Sequence, residues 1–222
     1  MNDRSTPRRG FFTRVAATAV AISGAGALGR LEAQGQVVDA DRWLDKLTGR
    51  YRQVFDFNDH GDGIGLVHMH NFIETYRSAY GVANSEVNAI GTFYGGTTPL
   101  AWNDAMWAKY KIGAALQLND SATKAPLARN WFYRPQRGDP VFLNGLFSEA
   151  NIESLSRRGA TFLMCNTAFR VWVGRLAAGG AGPAEVIAAD ILANLVPGVV
   201  VVPAMVIAVN KAQMKGIAYM RS

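Results

Sequence analysis

The chain is poor in sulfur nucleophiles, in histidine and in charge. Among 222 residues there is one cysteine, Cys165, and three histidines, and 18% of residues are charged. One cysteine excludes an intrachain disulfide framework and any cysteine-built zinc or iron–sulfur centre within one chain. Three histidines leave little material for a histidine-rich metal site. Phosphate-loop and dinucleotide glycine patterns are missing, since Gly91 to Gly96 lacks a following Lys-Ser/Thr and no G-x-G-x-x-G opens a helix. The G-x-S-x-G nucleophile elbow is missing as well. Low-complexity tracts and internal repeats are absent. The 49% hydrophobic content is that of a chain with a real core, not of a disordered, collagenous or coiled-coil protein.

The formal charge of +6 is concentrated at the start. Residues 1–33 hold Arg4, Arg8, Arg9, Arg14 and Arg30 against Asp3 and Glu32, so about +3 remains beyond them. No later stretch interleaves basic runs with aromatics, and nucleic acid is not an expected partner. Arg8-Arg9-Gly10-Phe11-Phe12 precedes a mild apolar run from Val15 to Leu28. Charged region, short apolar region and small-residue site follow in the order of a signal peptide, and the paired arginines match the twin-arginine type. Cleavage fits after Ala25-Gly26-Ala27 or after Leu31-Glu32-Ala33. The expectation is a signal over residues 1–33, a lead-in over 34–50, a domain over 51–222, and a periplasmic or extracellular address.

Within the domain, the apolar period alternates between two and about 3.6 residues. Strands are expected over Tyr51–Phe57, Glu86–Tyr94, Ala160–Cys165, Val199–Val202 and Ile217–Met220. Helices are expected over Ile64–Tyr80, Trp102–Leu118, Asn151–Arg158, Thr167–Leu176, Ala184–Leu195 and Ala204–Lys215. The alternation predicts an α/β domain with a mainly parallel sheet and helices on both faces. Residues 119–146 read as a long polar connection, part of a 100–146 insertion with Trp102, Trp107 and Trp131 as core or interface anchors. Val186 to Val209 is long enough to cross a bilayer, but Asp190, Asn194, Pro197, Gly198 and Pro203 break it, so no membrane span is expected there.

Cys165 ends a strand and precedes a helix. In open parallel sheets, ligand and catalytic groups gather beyond the carboxyl ends of strands. Free N–H groups at a helix start favour an anion and would lower a thiol's pKa. Without a second cysteine, such a thiolate can take up sulfane sulfur, hold a persulfide or attack a partner's thiol. The competing reading is a buried cysteine acting as a small hydrophobe. His68 and His70, with His60 nearby, raise a third reading, a metal enzyme. Two residues apart on a helix, however, point about 200° apart, so the pair does not readily chelate one ion. No metal or cofactor site is assigned.

The segment Gly159 to Phe169, Gly-Ala-Thr-Phe-Leu-Met-Cys-Asn-Thr-Ala-Phe, resembles the reactive-cysteine segment of the DsrE/DsrF-like sulfur-relay family. Leu195–Ala204 and Gln213–Tyr219 resemble that family's closing strand, helix and last strand. Asn71-Phe72-Ile73, Gly95-Gly96 and Asn103-Asp104 fall where its first helix, second strand end and following loop lie. The resemblance covers residues 50–221. It implies a flavodoxin-like α/β fold, homo- or hetero-oligomers (often trimers or hexamers), and cysteine-persulfide sulfur transfer with a donor or acceptor protein. Cys165 alone carries over as the reactive, catalytic residue; Asn166 and Thr167 supply only candidate N-terminal donors. The export signal and the long 100–146 region depart from the cytoplasmic members. The alternative is a non-catalytic periplasmic binding or assembly protein that retains the fold.

Overall fold

The computed structural model describes residues 40–120, 122–136, 139 and 148–222. The signal over 1–33, the first part of the lead-in, residues 121, 137–138 and 140–146 of the insertion, and residue 147 lie outside the described residues. Among the described residues, five strands form one parallel sheet: β1 (Tyr51–Phe57), β2 (Val87–Phe93), β3 (Thr161–Cys165), β4 (Val199–Val202) and β5 (Ala218–Arg221). Their order across the sheet is β4-β3-β2-β1-β5. This is the expected α/β flavodoxin-like class, and three strands, β1, β2 and β3, are paired on both edges.

The order has a direct consequence for layering. The chain steps outward from β1 to β4 and then returns past β1 to lay down β5. Crossovers between parallel strands keep one hand, so a reversal of direction puts the last helix on the other face. One face carries α2 (Ile64–Tyr80), α3 (Asp104–Lys109), α4 (Ile112–Ala115), α5 (Ile152–Arg157), α6 (Asn166–Ala178) and α7 (Ala184–Ala193) over Phe55, Phe57, Phe93, Phe162 and Met164. The other carries α1 (Arg42–Asp45) and α8 (Met205–Met214) over Val54, Ile90, Leu163, Cys165 and Val202. Side chains alternate along each strand, and toward the carboxyl ends of β1, β2 and β3 both sets are buried, as central parallel strands require.

Several boundaries coincide with those expected: Tyr51–Phe57, Ile64–Tyr80 and Val199–Val202 are as expected, and Gly81 closes α2 with φ +65°. The apolar run from Val186 onward divides into α7, a Pro197-Gly198 turn, β4 and α8. Among the described residues, no helix is long and apolar enough to cross a membrane.

One helix is corrected. Trp102–Leu118 is not continuous but two short helices, α3 and α4, separated at Lys111, whose φ is +51°. Asn103 starts α3 by accepting from the Met106 N–H at 3.2 Å. Past the break, Gly113 lies so close to the 118–127 segment that a Cβ there would stand 2.3 Å from the Leu127 carbonyl oxygen. Ile112, beside the break, is wholly buried. Packing of the insertion therefore overrides helical continuity. Gly91 serves a similar purpose in β2, where a Cβ would meet the Phe162 ring at 2.8 Å. That ring stacks on Phe93 with centroids 5.2 Å apart.

The described part of residues 119–139 has no helix or strand and is held by side chains. Asn130, fully buried, donates to the carbonyls of Leu100 (2.9 Å) and Trp102 (2.8 Å) and accepts from the Phe132 N–H (3.1 Å). Trp107 Nε1 donates to the Pro99 carbonyl at 2.9 Å. Arg129 pairs with the mostly buried Asp139. Replacing Asn130 by Ala would strip partners from two buried carbonyls and from the part-buried Phe132 N–H. Asn130→Ala is expected to lower the unfolding free energy by about 2–4 kcal/mol in denaturant titrations; a loss below about 0.5 kcal/mol would show that water replaces the amide.

Candidate functional site

Cys165 is the last residue of β3 and the N-cap of α6, with no loop between strand and helix. Its register partner on β4 is Val202, so the chain leaving β4 passes beside it. The Ala168 N–H donates to Sγ at 3.5 Å and the Met205 N–H, first in α8, at 3.3 Å. Two helices that cover opposite faces of the sheet thus begin at one sulfur atom. Thr167 Oγ1 donates to the Pro203 carbonyl at 3.1 Å and closes the same joint. Converging helix N-terminal amides complement negative charge at the atom they face. The residue is 6% exposed.

A polar cluster adjoins it on the same face. The β2–β3 register pairs Phe93 with Met164, which sets Tyr94, one extended residue past β2, beside Cys165 at the end of β3. Tyr94 packs against the buried cluster that contains Cys165. Its hydroxyl donates to Asp56 Oδ2 at 3.2 Å, Tyr219 donates to the same oxygen at 2.7 Å, and Thr92 donates to Oδ1 at 2.9 Å. Thr92 Oγ1 in turn accepts from the Phe57 N–H at 3.0 Å. Asp56 is 9% exposed and Thr92 not at all. A carboxylate that has left water is thereby satisfied by three hydroxyl donors. Burial, and then the Asp56 charge and hydrogen bond, push the Tyr94 hydroxyl up to about 12. Tyr219 is also raised, first by its hydrogen bond to Asp56 and then by burial.

Neither Asp56 nor the two tyrosines was marked by sequence reasoning. An acid inside an apolar strand, one residue before its end, was the available signal. Its partners sit 38 and 163 positions away, and only the placement of β5 beside β1 brings Tyr219 to it.

The histidines do not converge. His60 Nδ1 accepts from the Asp62 N–H at 3.3 Å, and its ring lies 6.0 Å from that of Phe132, on the face opposite Cys165. His68 Nδ1 is 3.3 Å from Ser222 Oγ, while His70 Nδ1 is 3.4 Å from the Arg158 guanidinium. Burial, with the Arg158 charge second, lowers the His70 pKa. Among the described residues no three His, Cys, Asp or Glu side chains are grouped to hold a metal ion. Trp102 and Trp107 are wholly buried, the former edge-on to Phe169 and Trp172. Trp131 is half-buried beside the Arg129 guanidinium.

No family model matches this chain, and neither does any curated protein or solved structure.

The raised tyrosine has a signed effect on stability. A hydroxyl whose folded pKa exceeds its unfolded value of about 10 holds its proton more tightly when folded. Its contribution is complete below pH 10 and is lost as pH rises towards 12. The unfolding free energy is therefore expected to fall across that range, and less steeply in Tyr94→Phe, as followed by denaturant titration at stepped pH. Parallel slopes in the two proteins would show that Tyr94 is not the group responsible.

Proposed function

We propose that the protein is an exported sulfur carrier of the DsrE/DsrF-like kind, acting through Cys165. The observation that carries this reading is the convergence of two helix N-terminal amides on the chain's one thiol, at the carboxyl edge of a parallel sheet. The Cys165 thiolate attacks the outer sulfur of a donor persulfide, R–S–SH. The donor's S–S bond breaks, R–S⁻ departs and takes up a proton, and Cys165 is left as Cys–S–SH. An acceptor thiolate then removes the outer sulfur by the same exchange, which regenerates the thiol with no net oxidation. At 6% exposure, the side chains over the sulfur must yield before a donor can reach it.

That same burial favours a second reading. In it, Cys165 is a structural cap and the protein is a non-catalytic periplasmic binding or assembly protein. The two separate by mass and by labelling rate. After incubation with a low-molecular-weight persulfide, the folded protein is expected to gain the mass of one sulfur atom, and Cys165→Ser to gain none. Iodoacetamide is expected to label Cys165 in the native protein at a rate within about a hundredfold of a free thiol. No sulfur gain, with labelling only after denaturation, would establish the scaffold instead.

Export belongs to the same proposal. The Arg8-Arg9 pair ahead of Phe11-Phe12 supports twin-arginine transport, which carries folded proteins. Arg8→Lys combined with Arg9→Lys is expected to retain the protein inside the cell, as read by fractionation. Undiminished export of the double variant would remove the twin-arginine assignment.

A further inference from the structure

The sheet ends on β5, whose outer edge is paired with no strand among the described residues. Beside it, on the α2 face, runs an open groove of about 680 Å³. Its wall is a run of aromatic rings. Phe55 meets Phe72 at 5.5 Å between centroids, Phe72 meets Tyr76 at 5.1 Å, Tyr51 meets Tyr76 at 4.3 Å, and Tyr76 meets Tyr80 at 5.7 Å. Met220 of β5 contributes the edge-side lining. Tyr80, at the rim, is 71% exposed. None of the residues lining the groove is Asp, Glu, Lys or Arg, although about +3 remains on the chain beyond residue 33.

That neutrality discriminates between occupants. In a two-fold contact each patch meets its own copy, so every charge on it would face a like charge. A surface of aromatic rings with Gln53, His68, Asn71 and Thr75 between them, flanked by Arg50 over the Tyr51 ring, brings few like charges together when it meets its own copy. The charged residue of the edge strand is kept out of the way. Alternation along β5 puts Met220 on the groove side and sends Tyr219 and Arg221 to the Asp56 side. The unpaired edge offers the directional part of the contact, since its free N–H and C=O groups are a template for another strand. The aromatic wall beside it offers the apolar part.

We propose that this edge and groove form a two-fold contact with a second copy of the chain. The two β5 strands pair antiparallel to make one ten-stranded sheet, and the two aromatic walls close over the junction. The contact is independent of Cys165 chemistry. It lies across β1 and β2 from the sulfur, so both thiols stay clear of it.

The test is sedimentation of the purified full chain together with charged variants at exposed positions, which folding tolerates. The native protein is expected to sediment as a dimer or an even-numbered oligomer. Tyr80→Glu and Thr75→Glu, each entering a symmetric contact twice, are expected to weaken association by about a hundredfold or more. Val206→Glu, on the exposed side of α8, is expected to leave it intact. In a Cys165→Ser background, Tyr219→Cys is expected to cross-link to its own copy through a short bismaleimide. A chain that stays monomeric at all concentrations would overturn the proposal. So would an oligomer that Val206→Glu dissolves while Tyr80→Glu and Thr75→Glu spare it.

Discussion

Two backbone N–H groups from different helices share the sulfur of Cys165, and that shared acceptor joins the two faces of the sheet. α6 leaves β3 toward one layer and α8 leaves β4 toward the other, yet their first turns end on one atom. Helix starts need acceptors for their free amides. Here a single side chain meets part of that need for both. The arrangement depends on β4 lying next to β3 in register, with Val202 opposite Cys165. A change at this sulfur therefore acts on both layers at once, whichever of the two functional readings holds.

The layers are unequal. Among the described residues, six helices crowd the face with Phe93 and Phe162, while α1 and α8 cover the other. Among the described residues, side chains meet at the carboxyl end of β1 on this face. Asp56, Tyr94, Tyr219 and Thr92 fill that space as a hydrogen-bonded group in place of a helix. A buried carboxylate there is tolerable only because three hydroxyls meet it. The insertion shows the complementary solution on the crowded face, where the amide of Asn130 takes the place of regular structure.

Much of the fold was legible because local chemistry and final structure agree. β1 and α2 have the ends that their apolar period and Gly81 indicated. The position of Cys165 at a strand-to-helix junction was also legible, since an apolar strand and a helical period meet there. The expected Trp102–Leu118 helix failed for a nonlocal reason. Its period is helical, but Gly113 must approach the backbone at Leu127, and the chain bends at Lys111 to allow it. The separation of His68 from His70 followed from helical geometry alone.

Beyond the single cysteine that composition supplies, local patterning set the alternation of strand and helix and the residue at which β3 hands over to α6. These follow from interactions within a few residues of chain. Tertiary structure alone decided that β5 lies beside β1, that Tyr219 reaches Asp56, and that the Met205 amide points at a sulfur 40 residues earlier. Each depends on which strands become neighbours. That choice is made by the burial of both sheet faces at once, and no short window of sequence contains it.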